Sequence, residues 1–214
     1  MLVNEIFSSI EGEGIRTGYP VTFIRLFGCN IDCPYCDTTY ACKGNDFVKM
    51  SVDEIVDKVN EIGFKRVTIT GGEPLIHRDI DSLIFTLRYL GYEVNIETNG
   101  TVYVGPYVHY DNILLTVDYK SLSSKMNDKM DLANLNVLTE KDVLKFVVGS
   151  IEDLVDMQNV LNKYKPQCHI FVSPVFGEIK PVDIVNFIKD NRLEDCRVQI
   201  QLHKVIWDPQ ERGV

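Results

Sequence analysis

The apolar positions of this chain form short runs that alternate with helix-like patterns. Seven runs, rich in Val, Ile, Leu and Phe, have the length and composition of buried strands. They occupy residues 21–27, 66–70, 94–97, 113–117, 143–148, 169–172 and 197–202. Four other segments repeat apolar residues every three or four positions, as one face of a helix does. These predicted helices cover residues 51–62, 79–90, 152–163 and 182–189.

The alternation of strands and helices predicts a mostly parallel α/β sheet. A complete eight-unit β/α barrel takes about 250 residues, whereas this chain has 214. We therefore predict an open, partial TIM-like β/α barrel that spans residues 1–214 as a single domain. In such a barrel the active site lies at the carboxyl ends of the strands.

Composition narrows the classes of function. Apolar residues make up 45% of the chain and charged residues 25%, as in ordinary globular proteins. The net charge of −9 argues against direct nucleic-acid binding, which needs a cationic surface. No apolar run is long enough to span a membrane, and the amino terminus has no secretory pattern, so we expect a cytoplasmic protein.

The most informative motif is a group of three cysteines, Cys29, Cys33 and Cys36, in the spacing C-x3-C-x2-C. Three thiolates on one short loop favour a soft metal centre, and three ligands leave one coordination position open for chemistry. The alternative is a structural zinc site completed by Cys42 or by a distant histidine. The spacing by itself leaves both interpretations open.

This cysteine spacing, with the aromatic Tyr35 before the last cysteine, resembles the radical S-adenosylmethionine superfamily. The segment Thr70-Gly71-Gly72-Glu73-Pro74 resembles that superfamily's second signature. The resemblance implies a [4Fe–4S] cluster on the three cysteines, with S-adenosylmethionine bound at the fourth iron. It also implies that the partial barrel is of the radical S-adenosylmethionine type.

A narrower resemblance, to the 7-carboxy-7-deazaguanine synthase family, extends over segments 5–38, 70–74, 97–100 and 201–204. It implies a lyase that converts 6-carboxy-5,6,7,8-tetrahydropterin to 7-carboxy-7-deazaguanine with loss of ammonia. That product is a precursor of 7-deazapurines such as queuosine and archaeosine. The resemblance further implies a Mg²⁺ ion, a homodimer and an electron donor such as flavodoxin or ferredoxin.

The resemblance assigns substrate contacts to a short amino-terminal extension and to two barrel strands. These substrate-binding residues are Ile10, Glu11, Gly12, Arg25 and Thr70. The planar guanidinium of Arg25 can donate two parallel hydrogen bonds to a carboxylate of the substrate. The alternative is that Arg25 forms a buried ion pair with an acidic residue. Glu11 stands where the family pattern has Gln, and its carboxylate is expected to accept hydrogen bonds from the substrate.

Cofactor contacts are assigned to residues that follow the predicted strands. They are Gly72, Glu97, Thr98, Asn99, Asp118, Tyr119, Lys120, Ser173, Pro174, Val175 and Phe176. Thr38 matches the family's magnesium ligand, and an ordinary turn is the alternative for this residue. No side chain stands out from the sequence as an acid or base for the ring contraction.

Two other functions fit part of the sequence. A glycyl-radical activase has the same cysteine spacing and a similar size, but it leaves Arg25, Asp37-Thr38 and the segment 5–14 unexplained. A non-enzymatic metal-binding module explains the cysteines alone. The ring-contracting lyase therefore accounts for more of the chain than either alternative.

Overall fold

The computed structural model describes residues 1–209 and 211–214. Its strands form a single nine-stranded sheet in the order β3-β1-β2-β4-β5-β6-β7-β8-β9. Their bounds are β1 Leu2–Ile10, β2 Pro20–Leu26, β3 Val48–Lys49, β4 Arg66–Gly71, β5 Glu93–Thr98, β6 Ile113–Tyr119, β7 Val143–Val148, β8 His169–Pro174 and β9 Cys196–Val198.

All seven predicted strands are present, as β2 and β4 to β9. Each pairs in parallel with the next of them along the chain. Within the described residues β3 and β9 lie at opposite edges of the sheet, so the barrel is open. The prediction of a partial TIM-like barrel is confirmed.

Strand β1, which the apolar pattern did not predict, pairs antiparallel with β2 and extends the sheet. Its sequence, LVNEIFSSI, lacks strict alternation, and only Val3 in it is buried. The sequence pattern of β1 does not predict a strand, but pairing with β2 supplies its backbone hydrogen bonds. A stacked contact between Phe7 and Phe23, with ring centroids 5.1 Å apart, joins the two strands.

In the part of the chain that the structure describes, seven α-helices connect the strands or follow the last one. Their bounds are α1 Thr39–Cys42, α2 Val52–Ile62, α3 Ile80–Tyr89, α4 Asn134–Val137, α5 Ile151–Tyr164, α6 Pro181–Asp190 and α7 His203–Ile206. The four predicted helices are α2, α3, α5 and α6. Ser51 and Ser150 each form a capping box, which satisfies backbone groups at the start of α2 and α5. No helix in the described ranges is long and apolar enough to cross a membrane.

The predicted last strand, 197–202, is too long. Strand β9 ends at Val198, and α7 begins at His203. The intervening residues turn toward the amino-terminal loop, because the Leu202 amide donates to the Gly12 carbonyl. The Gln199 side chain likewise accepts from the Gly14 amide at 2.8 Å.

Alternation along the parallel strands separates the apolar core from the polar site. Successive side chains on a strand point to opposite faces. One face joins the buried core between sheet and helices, with Ile24, Ile69, Ile96, Leu115 and Phe146 all fully buried. The opposite face of the same five strands carries Arg25, Thr70, Glu97, Asp118 and Lys145. The strands therefore direct these five polar side chains into the barrel interior.

Candidate functional site

A cavity of about 560 Å³ opens at the carboxyl ends of the parallel strands. The loop that follows β2, residues 28–38 and called the cysteine loop below, forms one wall. The inward side chains of β2, β4, β5, β6 and β7 form the floor. The location agrees with the site predicted for a partial barrel.

The three cysteines of the motif, Cys29, Cys33 and Cys36, all line this cavity. Asn99 Nδ2 lies 3.7 Å from Cys29 Sγ, and Cys42 Sγ lies 4.0 Å from Cys36 Sγ. A hydrogen bond with Cys42 is the largest influence that lowers the pKa of Cys29 and of Cys36, in each case to about 6. Burial instead raises the pKa of Cys33 to about 11.

The glycines after β4 bring two loops into close contact. Gly71 has φ +145°, and a Cβ atom there would lie 2.0 Å from the Leu26 carbonyl oxygen. A Cβ atom at Gly72 would lie 2.2 Å from the Gly28 carbonyl oxygen. Only glycine fits such an approach, so both positions hold the β4 loop directly against the start of the cysteine loop.

Glu73 ties this loop to the residues after β5. Its fully buried carboxyl accepts from Thr98 Oγ1 at 2.8 Å and from the Asn99 amide at 2.6 Å. The Thr98 hydroxyl therefore already donates its hydrogen bond to a group within the protein. The Asn99 side chain faces the cysteine loop, where its Nδ2 donates to Asn30 Oδ1 at 3.0 Å.

The end of β6 contributes a buried ion pair between Lys120 and Asp118, with Lys120 Nζ 2.8 Å from Asp118 Oδ2. The other carboxylate oxygen, Asp118 Oδ1, is buried and has no hydrogen-bond partner among residues 1–209 and 211–214. Both side chains line the cavity. Tyr119 points the other way and packs against Phe146 in the core.

At the end of β8, three of the four predicted residues line the cavity and one does not. Pro174, Val175 and Phe176 line the cavity. Ser173 is fully buried behind them, and its hydroxyl donates to Glu13 Oε1 at 3.0 Å.

The floor contains a cluster of ionisable groups, called the carboxylate cluster below and defined as Glu11, Glu13, Glu97 and Lys145. Lys145 Nζ lies 3.1 Å from Glu13 Oε2, and both side chains are almost entirely buried. Glu11 Oε2 accepts from Thr68 Oγ1 at 2.7 Å. Glu97 Oε2 accepts from Thr70 Oγ1 at 2.8 Å. Residues from the amino-terminal loop and from three strands, β4, β5 and β7, thus meet in one buried site.

Burial and mutual repulsion shift the pKa values in this cluster. Burial, followed by the nearby Glu97, raises the pKa of Glu11 to about 8. Burial also raises the pKa of Glu97, although Lys145 opposes this change. Burial alone would lower the pKa of Lys145, but Glu13, Asp118 and Glu97 together raise it well above its ordinary value.

Arg25 occupies the same floor and forms an ion pair, with its Nε 2.7 Å from Glu5 Oε1. The acidic partner considered in the sequence analysis is therefore present, on β1. The hydrogen bond within this ion pair is donated by Nε. Arg25 also lines the cavity, so the ion pair orients the side chain there.

Comparisons with known proteins agree with this geometry. The Radical SAM superfamily matches residues 23–164 of the chain. A 7-carboxy-7-deazaguanine synthase of Clostridium acetobutylicum is 42% identical over 220 residues, which cover 99% of this chain and 98% of that protein. Another, of Methanospirillum hungatei, is 38% identical over 98% of this chain and 86% of that protein.

This chain belongs to the 7-carboxy-7-deazaguanine synthase family. The crystal structure of QueE from Escherichia coli has the same fold, with a TM-score of 0.76 and 24% identity, and the match covers 94% of each chain. Membership in the synthase family makes the protein a lyase, and the superfamily match implies a [4Fe–4S] cluster and S-adenosylmethionine.

The residues present fit these two groups. No set of three His, Cys, Asp or Glu side chains in the described part of the chain gathers closely enough to hold a single metal ion. A [4Fe–4S] cluster demands ligands that are spaced more widely than those of a single ion. Each thiolate binds its own iron, so the cysteine sulfurs lie farther apart. Cys29, Cys33 and Cys36 around one open cavity meet that demand, and Asp118 Oδ1 offers an unused acceptor beside them.

The structure places nearly all of the predicted site residues on the cavity wall. Those that line it are Ile10, Glu11, Gly12, Arg25, Cys29, Cys33, Cys36, Thr38, Thr70, Gly72, Glu97, Thr98, Asn99, Asp118, Lys120, Pro174, Val175 and Phe176. Tyr119 and Ser173 are the two predicted residues that do not. Thr38 Oγ1 lies 3.7 Å from Cys36 Sγ, at the start of α1.

Sequence reasoning missed Lys145 and Glu13. Lys145 is the single charge in the apolar strand VLKFVV, which is the same signal that drew attention to Arg25 in β2. Glu13 lies in the amino-terminal segment that carried the resemblance, but its partner is 132 residues away in the chain. A single charged residue within an apolar strand, the criterion that selected Arg25, also selects Lys145. No local sequence pattern predicts that Lys145 pairs with Glu13.

Proposed function

We propose that this chain converts 6-carboxy-5,6,7,8-tetrahydropterin to 7-carboxy-7-deazaguanine, with release of ammonia. The proposal is carried by the 42% identity to the Clostridium acetobutylicum synthase over essentially the full length of both chains. The cavity supports it, because cysteines for a cluster lie on one wall and charged groups for a polar substrate lie on the floor. The product belongs to the 7-deazapurine pathway that leads to queuosine and archaeosine.

The substrate side of the cavity is formed by Arg25, Thr70 and the loop residues Ile10, Glu11 and Gly12. Arg25, oriented by Glu5, binds the pterin carboxylate through its terminal nitrogens. The Thr70 hydroxyl, which donates to Glu97, presents its remaining lone pair to the substrate. These residues come from one domain, of which the amino-terminal segment is the substrate-binding extension.

The cofactor side holds S-adenosylmethionine next to the cysteine loop. When bound, the cluster and S-adenosylmethionine supply a radical that abstracts a hydrogen atom from the substrate. Gly72 leaves room for close backbone approach, and Asp118 Oδ1 accepts a hydrogen bond from the cofactor. The remaining cofactor contacts come from the cavity-lining residues at the ends of β5, β6 and β8.

Thr38 is proposed to bind Mg²⁺ together with substrate and water, since magnesium commonly takes few protein ligands. The enzyme is further proposed to act as a homodimer in the cytoplasm. Its electrons come from a small donor protein such as flavodoxin or ferredoxin. Direct contact with nucleic acid or with a membrane is not part of the proposal.

Anaerobic turnover tests the proposal. Reconstituted protein is incubated with the carboxytetrahydropterin, dithionite and S-adenosylmethionine, with and without Mg²⁺. We expect one ammonia per 7-deazapurine chromophore formed, more slowly without Mg²⁺. The matched control is Cys33→Ala, which removes one cluster ligand and should give neither product. Cleavage of S-adenosylmethionine by the wild type without ammonia release would contradict the proposal.

A further inference from the structure

The Glu11 carboxyl is buried, and burial destabilises its ionised form. Its side chain is 2% exposed, and one oxygen, Oε2, accepts from Thr68 Oγ1 at 2.7 Å. It has no ion-pair partner among residues 1–209 and 211–214. A buried carboxylate without a cation loses much of its hydration and gains little in return, which favours the neutral acid.

The charges that face Glu11 come from several elements. Glu97 projects from β5, and Glu13 lies on the same loop as Glu11. Arg16, in the short helical turn Gly14–Arg16, is the cation that acts on it, but its guanidinium donates to the Glu93 carbonyl. Lys145, on β7, is paired with Glu13. Three buried carboxyls thus share one buried ammonium, and full ionisation would leave a net negative charge inside the barrel.

More cations act on Glu97 than on Glu11. Lys145 and Arg25 both favour the ionised form of Glu97. Glu11 receives less help, because Arg16 acts on it more weakly than burial and Glu97 do. Glu13 is paired with Lys145, whose Nζ lies 3.1 Å from Glu13 Oε2. The two acidic residues of this loop, two positions apart, therefore differ in their electrostatic surroundings.

We propose that Glu11 is a neutral carboxylic acid that donates its O–H to a carbonyl oxygen of the substrate ring. This inference rests on the proposed function and specifies how that site recognises its substrate. A protonated carboxyl resembles an amide in having one donor group and one acceptor oxygen in nearly the same volume. Oε1, which takes no part in the bond with Thr68, is the oxygen that carries the proton.

This arrangement selects a ring with an oxo group at that position. A ring with an amino group there presents a donor to a donor, and one buried polar group is left unpaired. A site that hydrogen-bonds a substrate group rejects analogues that lack it by large factors. Since the pKa of Glu11 is raised to about 8, ionisation above that pH removes the donor.

The first test is spectroscopic and does not depend on activity. Infrared difference spectra of the reconstituted protein at pH 6.5 and pH 9.5 should show a protonated-carboxyl C=O band that disappears at high pH. We expect Glu11→Gln to lack this band and Glu97→Gln to retain it. Loss of the band in Glu97→Gln, with retention in Glu11→Gln, would overturn the proposal.

The second test is substrate affinity, measured by calorimetry on the reconstituted protein with S-adenosylmethionine and without reductant, so that no turnover occurs. Wild-type affinity for the carboxytetrahydropterin should fall about tenfold per pH unit above pH 8, since one proton is lost. In Glu11→Gln this fall should be absent, and the same substrate then serves as control for its own ionisation. Identical alkaline profiles in both proteins would overturn the proposal.

The two tests separate this inference from the proposed function. Turnover to the 7-deazapurine together with an ionised Glu11 at pH 6.5 would refute the inference alone. A protonated Glu11 in a protein that neither binds nor converts the pterin would refute the proposed function. It would refute the recognition of the pterin carbonyl as well, and leave only the charge state standing.

Discussion

The two sides of the cavity are built differently. The cysteine loop gathers its three thiols within eight consecutive residues, Cys29 to Cys36, and the loop is partly open to solvent. The carboxylate cluster collects side chains from residues 11 to 145, of which Glu11 is buried and Lys145 and Glu13 are nearly so. A proposed cofactor site of local motifs therefore faces a proposed substrate site that only the fold assembles.

The difference determines what a change at each side does. A cysteine of the loop is proposed to bind the cluster and contributes little to the buried core, so its loss should remove function and spare the fold. Lys145 and Glu13 of the carboxylate cluster contribute to both, because each compensates the charge of the other inside the barrel. Four predictions test this contrast, in order of decreasing effect.

Cys33→Ala should eliminate the cluster and all turnover, because two thiolates do not hold a [4Fe–4S] cluster. Its unfolding midpoint, measured on the metal-free protein, should stay close to that of the metal-free wild type. The matched control is Cys42→Ala, which alters the neighbouring thiol outside the motif and should keep the wild-type iron content. Equal iron loss in both variants would indicate that Cys42 is also a ligand. That result would support the alternative of a structural metal site completed by Cys42.

Lys145→Met should destabilise the protein by about 3–5 kcal/mol, because removing one partner leaves a buried charge uncompensated. Chemical denaturation of both proteins measures the difference. Lys129→Met is the control, since Lys129 pairs with Asp128 on the surface. Its expected change is below about 1 kcal/mol. Similar stability losses in the two variants would remove the contrast between the buried cluster and the surface.

Glu11→Gln should stabilise the protein at neutral pH by a few kcal/mol. The pKa of Glu11 is about 8 in the folded protein against an ordinary value of 4.5. Between these values the unfolded chain ionises first, so wild-type stability falls as pH rises from 4.5 to about 8 and then levels off. The gap between variant and wild type should widen over this window. A gap that stays constant with pH would contradict the charge assignment.

Arg25→Lys should raise the KM for the carboxytetrahydropterin by about 10- to 100-fold, since a charge-assisted hydrogen bond contributes about 1.5–3 kcal/mol. The lysine keeps a positive charge near Glu5 but loses the paired donors. A substrate analogue without the carboxylate should bind both proteins equally. If affinity for that analogue falls by the same factor, Arg25 acts through Glu5 and does not contact the carboxylate.

The sequence patterns predicted the seven parallel strands and the cysteine loop because both depend on neighbouring residues. They did not predict β1, whose apolar positions do not alternate and whose strand forms by pairing with β2. They also missed the bond between Lys145 and Glu13, which depends on the register of the finished sheet. Tyr119 and Ser173 were placed at the correct strand ends, but Tyr119 packs into the core and the buried Ser173 hydroxyl is bonded to Glu13.

The central claim is that three cysteines hold a [4Fe–4S] cluster with one iron open to S-adenosylmethionine. Electron paramagnetic resonance of the reduced, reconstituted protein tests it most directly. Adding S-adenosylmethionine should change the spectrum of the wild-type cluster, because its amino and carboxylate groups bind the fourth iron. A spectrum that does not respond, at saturating S-adenosylmethionine and full iron content, would mean that the fourth iron is closed and would contradict the account.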